Sequence, residues 1–207
     1  MPPMNEEAVI RFHFEQDIAS ACQESDVEEL KKWRRELLAR SLVGQQPGRY
    51  GGFGYGNLSK RMPDGTILIT GSQTGHLEAL TPAHYARVLD FDPDQNWVRS
   101  EGQTSPSSET MTHLAVYRSD AMVGFVFHTH SPEIWQARSE LNLPTTDPRF
   151  ECGTVDLFHE VQRLLQNPSF RMRGILAMGG HRDGILTWGK TADEAGSLLL
   201  RCLGAGS

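Results

Sequence analysis

The chain has 207 residues, 38% of them hydrophobic, enough apolar material for a substantial core in one domain. Its formal charge of -6 and pI near 5.7 come without a basic cluster, which argues against a nucleic-acid surface, and no apolar stretch approaches a membrane span. Three scattered cysteines, Cys22, Cys152 and Cys202, exclude a disulfide framework, and "MPPMNEEAVIRFHFEQ" lacks a basic flank followed by an apolar run, so a cytoplasmic protein is expected.

Residues 1–24 read as an N-terminal extension of a single domain spanning 1–207. "SDVEELKKWRRELLARSLVG" follows, with Ser25 and Glu28 in capping-box spacing and Leu30, Trp33, Leu37 and Leu38 on helical spacing up to Gly44. Glycines 51, 52, 54 and 56 make "GRYGGFGYGNLSKR" a close-packed turn before the segment Asn57 to Arg61. "TILIT" is a strand and "GSQTG" a loop whose backbone N–H groups can approach a ligand. "SSETMTHLAVYR", residues 107–118, is a helix entered through Pro106 and a Ser cap, and it leads into the buried strand "AMVGFVF". "PEIWQARSE" and "GTVDLFHEVQRLLQ" are helical, while "RGILAM" and "GILTW" are strands joined by the glycine turn "GGHRDG". Thr191 and Glu194 cap a terminal helix through "ADEAGSLLLRCL". Interspersed helices and strands predict an α/β sandwich of one helix-covered sheet.

The chemistry concentrates at "FVFHTHSPEIW". Side chains alternate along a strand, so His128 and His130 leave one face and aim at a common point, which suits a metal; two hydrogen-bonded histidines at a strand end are the simpler alternative. His181, in the glycine turn, is the candidate third ligand, since three imidazoles and one open position describe a catalytic zinc site; taken alone it also reads as a turn histidine. Other divalent metals accept imidazole too. Glu109, in the first turn of the helix that feeds the His-Thr-His strand, is the acid/base candidate. In isolation it is an ordinary helix-start carboxylate. The same helix start offers Ser107, Ser108 and unpaired N–H groups to a phosphate, and Asn57 with Ser59, and Thr74 with Gly75, add donors from two glycine loops.

In order and approximate separation, "GNLSKR", "ILITGSQTG", "PSSETMTHLAVY", "FVFHTHSP" and "GHRDG" resemble the class II aldolase/adducin family over about residues 30 to 200. The resemblance implies a three-layer α/β/α sandwich with a central, largely antiparallel sheet. It implies a zinc ion on His128, His130 and His181, with Glu109 as acid/base. It also implies a phosphate pocket from Asn57, Thr74, Gly75, Ser107 and Ser108, with Thr70 and Gly71 as the alternative loop pair, in a homotetramer whose active sites lie near subunit contacts. His113, one helical turn beyond Glu109, reads as a supporting residue of the site or a core histidine.

Three functional readings follow. The first is a metal-dependent aldolase that cleaves a small ketose or ketose phosphate through a metal-stabilised enediolate. The second is a sugar-phosphate dehydratase on the same site, and the third an adducin-like oligomerising module without enzymatic activity. Family epimerases resemble a version with Asp at the position of Glu109, and adducin-like members have lost the histidines retained here. The tyrosines that help protonate the leaving aldehyde in the family's aldolases have no counterpart, because no tyrosine follows Tyr117 and no tail is expected beyond "LLLRCLGAGS"; Asp183 or a neighbouring subunit is the expected substitute.

Overall fold

The computed structural model describes residues 10–205. In chain order the strands are β1 (His13–Asp17), β2 (Gly44–Gln45), β3 (Gly54–Tyr55), β4 (Asn57–Arg61), β5 (Ile67–Thr70), β6 (Tyr85–Asp92), β7 (Trp97–Gly102), β8 (Phe125–His130), β9 (Ile175–Ala177) and β10 (Gly184–Gly189). The helices are α1 (Glu24–Leu38), α2 (Thr110–Ser119), α3 (Pro132–Gln136), α4 (Val155–Leu165), α5 (Pro168–Arg173) and α6 (Ala192–Ala205).

Eight strands form one sheet in the order β1-β7-β6-β5-β4-β8-β10-β9, antiparallel throughout except for β1 on β7. Both faces are covered. Phe125 and Phe127 pack in a cluster with Val27, Leu30, Trp33 and Leu37 of α1, Ile134 of α3 and Ala195 and Leu199 of α6. Val126, between them, joins Met111 and Leu114 of α2 and Leu157, Phe158 and Val161 of α4 on the opposite face. The alternation at 125, 126 and 127 is the period-two geometry of a strand with two buried faces, which is why "FVF" reads as a continuous apolar run. The architecture is the three-layer sandwich with a central, largely antiparallel sheet.

Several local expectations shift. Helix α1 is not capped by Ser25: the backbone N–H of Gln23 donates to Asp26 Oδ2 at 2.8 Å, and the helix ends at Leu38, five residues before the apolar Val43. Thr191 and Glu194 do exchange bonds at the start of α6, with Glu194 N donating to Thr191 Oγ1 at 3.1 Å and Thr191 N to Glu194 Oε2 at 3.4 Å. The helix after Pro106 begins at Thr110 rather than at Ser107, and α3 stops at Gln136. Within the segment read as an extension, β1 is an edge strand of the main sheet, pairing His13 with Trp97 through Asp17 with Glu101. Strands β6 and β7 were not expected either. Their charged, mostly non-alternating sequence belongs to the outer part of the sheet, where a strand need not bury both faces.

Candidate active site

The site forms where β4, β8 and β10 lie side by side. Asn57 pairs with His128, and Gly184 of β10 pairs with His130, so the turn before β4 and the turn before β10 both arrive at the His-Thr-His end of β8. His128 and His130 continue the face of Val126, toward α2 and α4, which sets them on the side where α2 begins. Their Nε2 atoms are 3.1 Å apart. His181 sits in the tight turn between β9 and β10, closed by Gly184 N donating to His181 O at 3.0 Å, and its Nε2 is 3.1 Å from that of His130. All three rings are buried.

Glu109 is not in the first turn of α2 but immediately before it, at the N-cap position with φ -88° and ψ 5°. Its carbonyl accepts the first helical bonds, from Thr112 N at 3.0 Å and His113 N at 3.2 Å. Glu109 is 3% exposed, with Oε1 3.6 Å from His181 Nε2 and Oε2 without a hydrogen-bond partner among the described residues. Burial first, and the neighbouring His181 second, hold His128 and His130 well below the ordinary imidazole range. Neutral imidazole is the form that ligates metal. Ligands about 2.05 Å from a tetrahedral zinc stand roughly 3.3 Å apart, close to the 3.1 Å separations here, so the donor set fits a divalent ion of the zinc type.

A cleft opens beside the histidines, lined by Asn57, Thr74, Gly75, Ser107, Ser108 and Glu109 among others. His128, His130 and His181 also line it, so the expected ligands, acid/base and phosphate residues border one cleft, Ser59 excepted. Asn57 Oδ1 is buried with no partner among the described residues. Thr74 Oγ1 donates to Gly71 O at 2.9 Å, and a Cβ on Gly75 would lie 2.4 Å from Gly44 O, so that glycine is required by backbone crossing backbone. Gly71 also lines the cleft, whereas Thr70 Oγ1 is spent inside the sheet, accepting from Leu58 N at 3.2 Å. Ser59 is turned away as well: its hydroxyl meets His113 Nδ1 at 2.7 Å and Tyr117 OH at 2.9 Å. His113 is thus a core histidine, with burial pushing its pKa down to about 3.

Sequence reasoning missed two tyrosines. Tyr50 and Tyr55, in the glycine turn before β4, pack their rings 4.4 and 5.5 Å from that of His130, and Arg49 lies 5.0 Å over each. Tyr50 OH donates to Asp183 Oδ2 at 2.9 Å. Both ends of that bond sit at positive φ, 45° for Tyr50 and 65° for Asp183, the kind of backbone strain that clusters at functional sites. Their only sequence signal was adjacency to Asn57, and it acquires meaning only once β4 is paired with β8.

Three converging imidazoles, a buried carboxylate beside them and a polar cleft in an α/β/α sandwich define a candidate metal-dependent enzyme site. Residues 48–202 match the family described as "Class II Aldolase and Adducin N-terminal domain", and the chain belongs to that family. It is 41% identical over 78 residues to methylthioribulose-1-phosphate dehydratase of Gluconacetobacter diazotrophicus, covering 37% of this chain and 34% of that one. Against 3-oxo-tetronate 4-phosphate decarboxylase of Escherichia coli K12 the identity is 32% over 109 residues, 52% of this chain and 47% of that one. The chain thus aligns with a third to a half of the length of these curated relatives. The crystal structure of l-fuculose-1-phosphate aldolase from Thermus thermophilus superposes with a TM-score of 0.61 at 19% identity, covering 86% of this chain and 89% of that one, a likeness of fold.

Proposed function

We propose that this protein is a metal-dependent lyase for a small phosphorylated hydroxy-carbonyl compound, with His128, His130 and His181 holding a divalent cation, zinc by preference, and Glu109 moving the proton. The observation that carries the reading is the Glu109 carboxylate, buried, 3.6 Å from His181 and with one oxygen unpartnered among the described residues. A base so placed is held out of water and close to whatever the histidines present. When bound, the cation supplies a Lewis acid for the charge that develops on a substrate carbonyl. Glu109 takes the proton from the carbon next to that carbonyl, and Asn57, Thr74, Gly75, Ser107 and Ser108 seat the phosphate through neutral donors.

Two bond-breaking outcomes use these same groups. In the first, Glu109 returns its proton to a departing hydroxyl and the net loss is one water; the sequence likeness to the dehydratase, 41% over 78 residues, favours this dehydration. In the second, retro-aldol cleavage, the hydroxyl on the departing carbon loses its proton as the carbon–carbon bond breaks and the aldehyde leaves, and Glu109, entering protonated, returns a proton to the remaining enediol carbon; Tyr50, bonded to Asp183 beside His130, is our candidate for the group that takes the hydroxyl proton. The homotetramer is likewise our proposal, to be read from sedimentation.

The test begins with metal content of the full chain beside a His128→Ala, His130→Ala variant, followed by product analysis of the loaded protein on ketose phosphates. One ion per chain, lost in the variant, and a single dehydrated product support dehydration, whereas two carbon fragments support the aldolase. Glu109→Gln should keep the ion and lose turnover by about 10²-fold or more. Undiminished turnover removes Glu109 from the mechanism, and a folded protein that takes no metal leaves the adducin-like module.

A further inference from the structure

Cys152 is not used by the reading above, yet the fold delivers it beside Glu109 and His181. It lies in the turn ahead of α4, 2% exposed and outside any disulfide. Two close backbone approaches hold it there. A Cβ on Gly153, at φ 71°, would lie 2.8 Å from Ser108 O, which presses this turn onto the segment carrying Glu109. A Cβ on Gly180 would lie 2.3 Å from Phe150 O, which presses the same loop onto the turn carrying His181. As a result one ligand atom from each of Glu109, Cys152 and His181 lies within 4.8 Å of the other two, all in buried residues.

We infer that this triangle is a second cation position, distinct from the three-histidine one, in which Cys152, Glu109 and His181 take a thiophilic divalent ion. Thiolate, carboxylate and imidazole are all zinc-type ligands, and the thiolate tilts the set toward softer ions. Ligand atoms around a tetrahedral ion of this type stand about 3.5 Å apart, so closing from within 4.8 Å takes side-chain movements of roughly 1 Å. The Oε2 of Glu109, unpartnered among the described residues, is a buried acceptor already waiting for a cation or a proton. Binding releases the thiol proton to solvent, with no change of oxidation state. His181 Nε2, 3.1 Å from His130 Nε2 and 3.6 Å from Glu109 Oε1, stands at the boundary of the two positions. One lone pair serves one ion, so occupancy of the cysteine position withdraws His181 from the histidine set and Glu109 from proton transfer. The predicted consequence, inhibition by soft ions, rests on the lyase reading; the binding itself does not.

The experiment is a cadmium titration of the metal-free full chain, read by the ultraviolet thiolate-to-cadmium charge-transfer absorption, for the wild type, Cys152→Ser, Glu109→Gln and His128→Ala. The wild type should develop the band to saturation at stoichiometric cadmium, and a folded Cys152→Ser, which retains Cys22 and Cys202, should lose it. His128→Ala should keep the band, because it breaks only the histidine position. Glu109→Gln should raise the half-saturating cadmium concentration by roughly tenfold or more. No band in folded wild type, or an undiminished band in Cys152→Ser, overturns the site; an unshifted midpoint in Glu109→Gln does the same even if the cysteine variant fails to fold. A band retained in His128→Ala, whose histidine position is broken, supports the cysteine position even where product analysis overturns the lyase reading.

Discussion

His113 gives a quantitative test of how α2 is seated on the sheet. Its ring is fully buried, with Nδ1 2.7 Å from Ser59 Oγ and Nε2 without a partner among the described residues. A protonated ring would need a second acceptor that the core does not offer, and burial accordingly lowers the pKa from the ordinary 6.5 to about 3. Because the folded value is the lower one, the unfolded chain binds the extra proton between the two. The stability contributed by the neutral ring is therefore complete above 6.5 and is lost progressively as pH falls toward about 3. The slope in that window is about 1.4 kcal/mol per pH unit, so passing from about pH 7 to about pH 5 costs about 2 kcal/mol through this residue. His113→Gln keeps a hydrogen-bonding group toward Ser59 and does not titrate. Urea denaturation of the metal-free wild type and variant at both pH values supplies the measurement, the other histidines cancelling in the comparison. The wild type should lose about 2 kcal/mol more than the variant over that interval, whatever the variant's absolute stability. Equal losses would refute the reasoning, since the ring would then titrate alike in the folded and unfolded chains.

Two further outcomes test the frame around the cleft. Arg34 is 5% exposed and donates to the carbonyls of Thr74, Leu77 and Glu78 at 3.2, 2.6 and 3.1 Å, tying the cleft loop to α1. Arg34→Met should remove these three bonds, leaving Thr74 O only its bond from Leu77 N at 3.1 Å, at a cost of about 1–3 kcal/mol, and speed amide exchange locally over residues 71–78; exchange unchanged there would show that the loop holds itself. A Cβ on Gly196 would lie 2.2 Å from the Trp33 ring where α6 crosses α1. Overpacking of about 1–3 kcal/mol should outweigh the gain of about 1 kcal/mol in helix propensity, so Gly196→Ala should lower the urea midpoint, and a raised midpoint would contradict the close contact.

What was legible in the sequence was local. Period two put His128 and His130 on one face of a strand, Thr191 and Glu194 announced α6, and the motif order around "PSSE" and "GHRDG" located Glu109 and His181 as candidates. These depend on neighbours in the chain, and the backbone geometry of a few residues decides them. The start of α2 was displaced because Ser107 closes a turn with its own carbonyl, accepting from Thr110 N at 3.0 Å and Thr110 Oγ1 at 2.6 Å, and leaves Glu109 to begin the helix.

Convergence belonged to the tertiary structure. With both faces of β8 buried, no apolar-polar alternation says which face holds the histidines; the packing of Val126 against α2 and α4 decides it. His181 reaches His130 across 51 residues because β10 pairs with β8, and Tyr50 reaches it because β4 pairs on the other side. Cys152 arrives through two glycines that let its loop touch the backbone of two others. By itself the sequence determined which groups were available and that His128 and His130 would leave one face of the same strand. Only the closing of distant strands and loops, which no local propensity encodes, decided that a carboxylate and three imidazoles would share one pocket with a thiol close beside them.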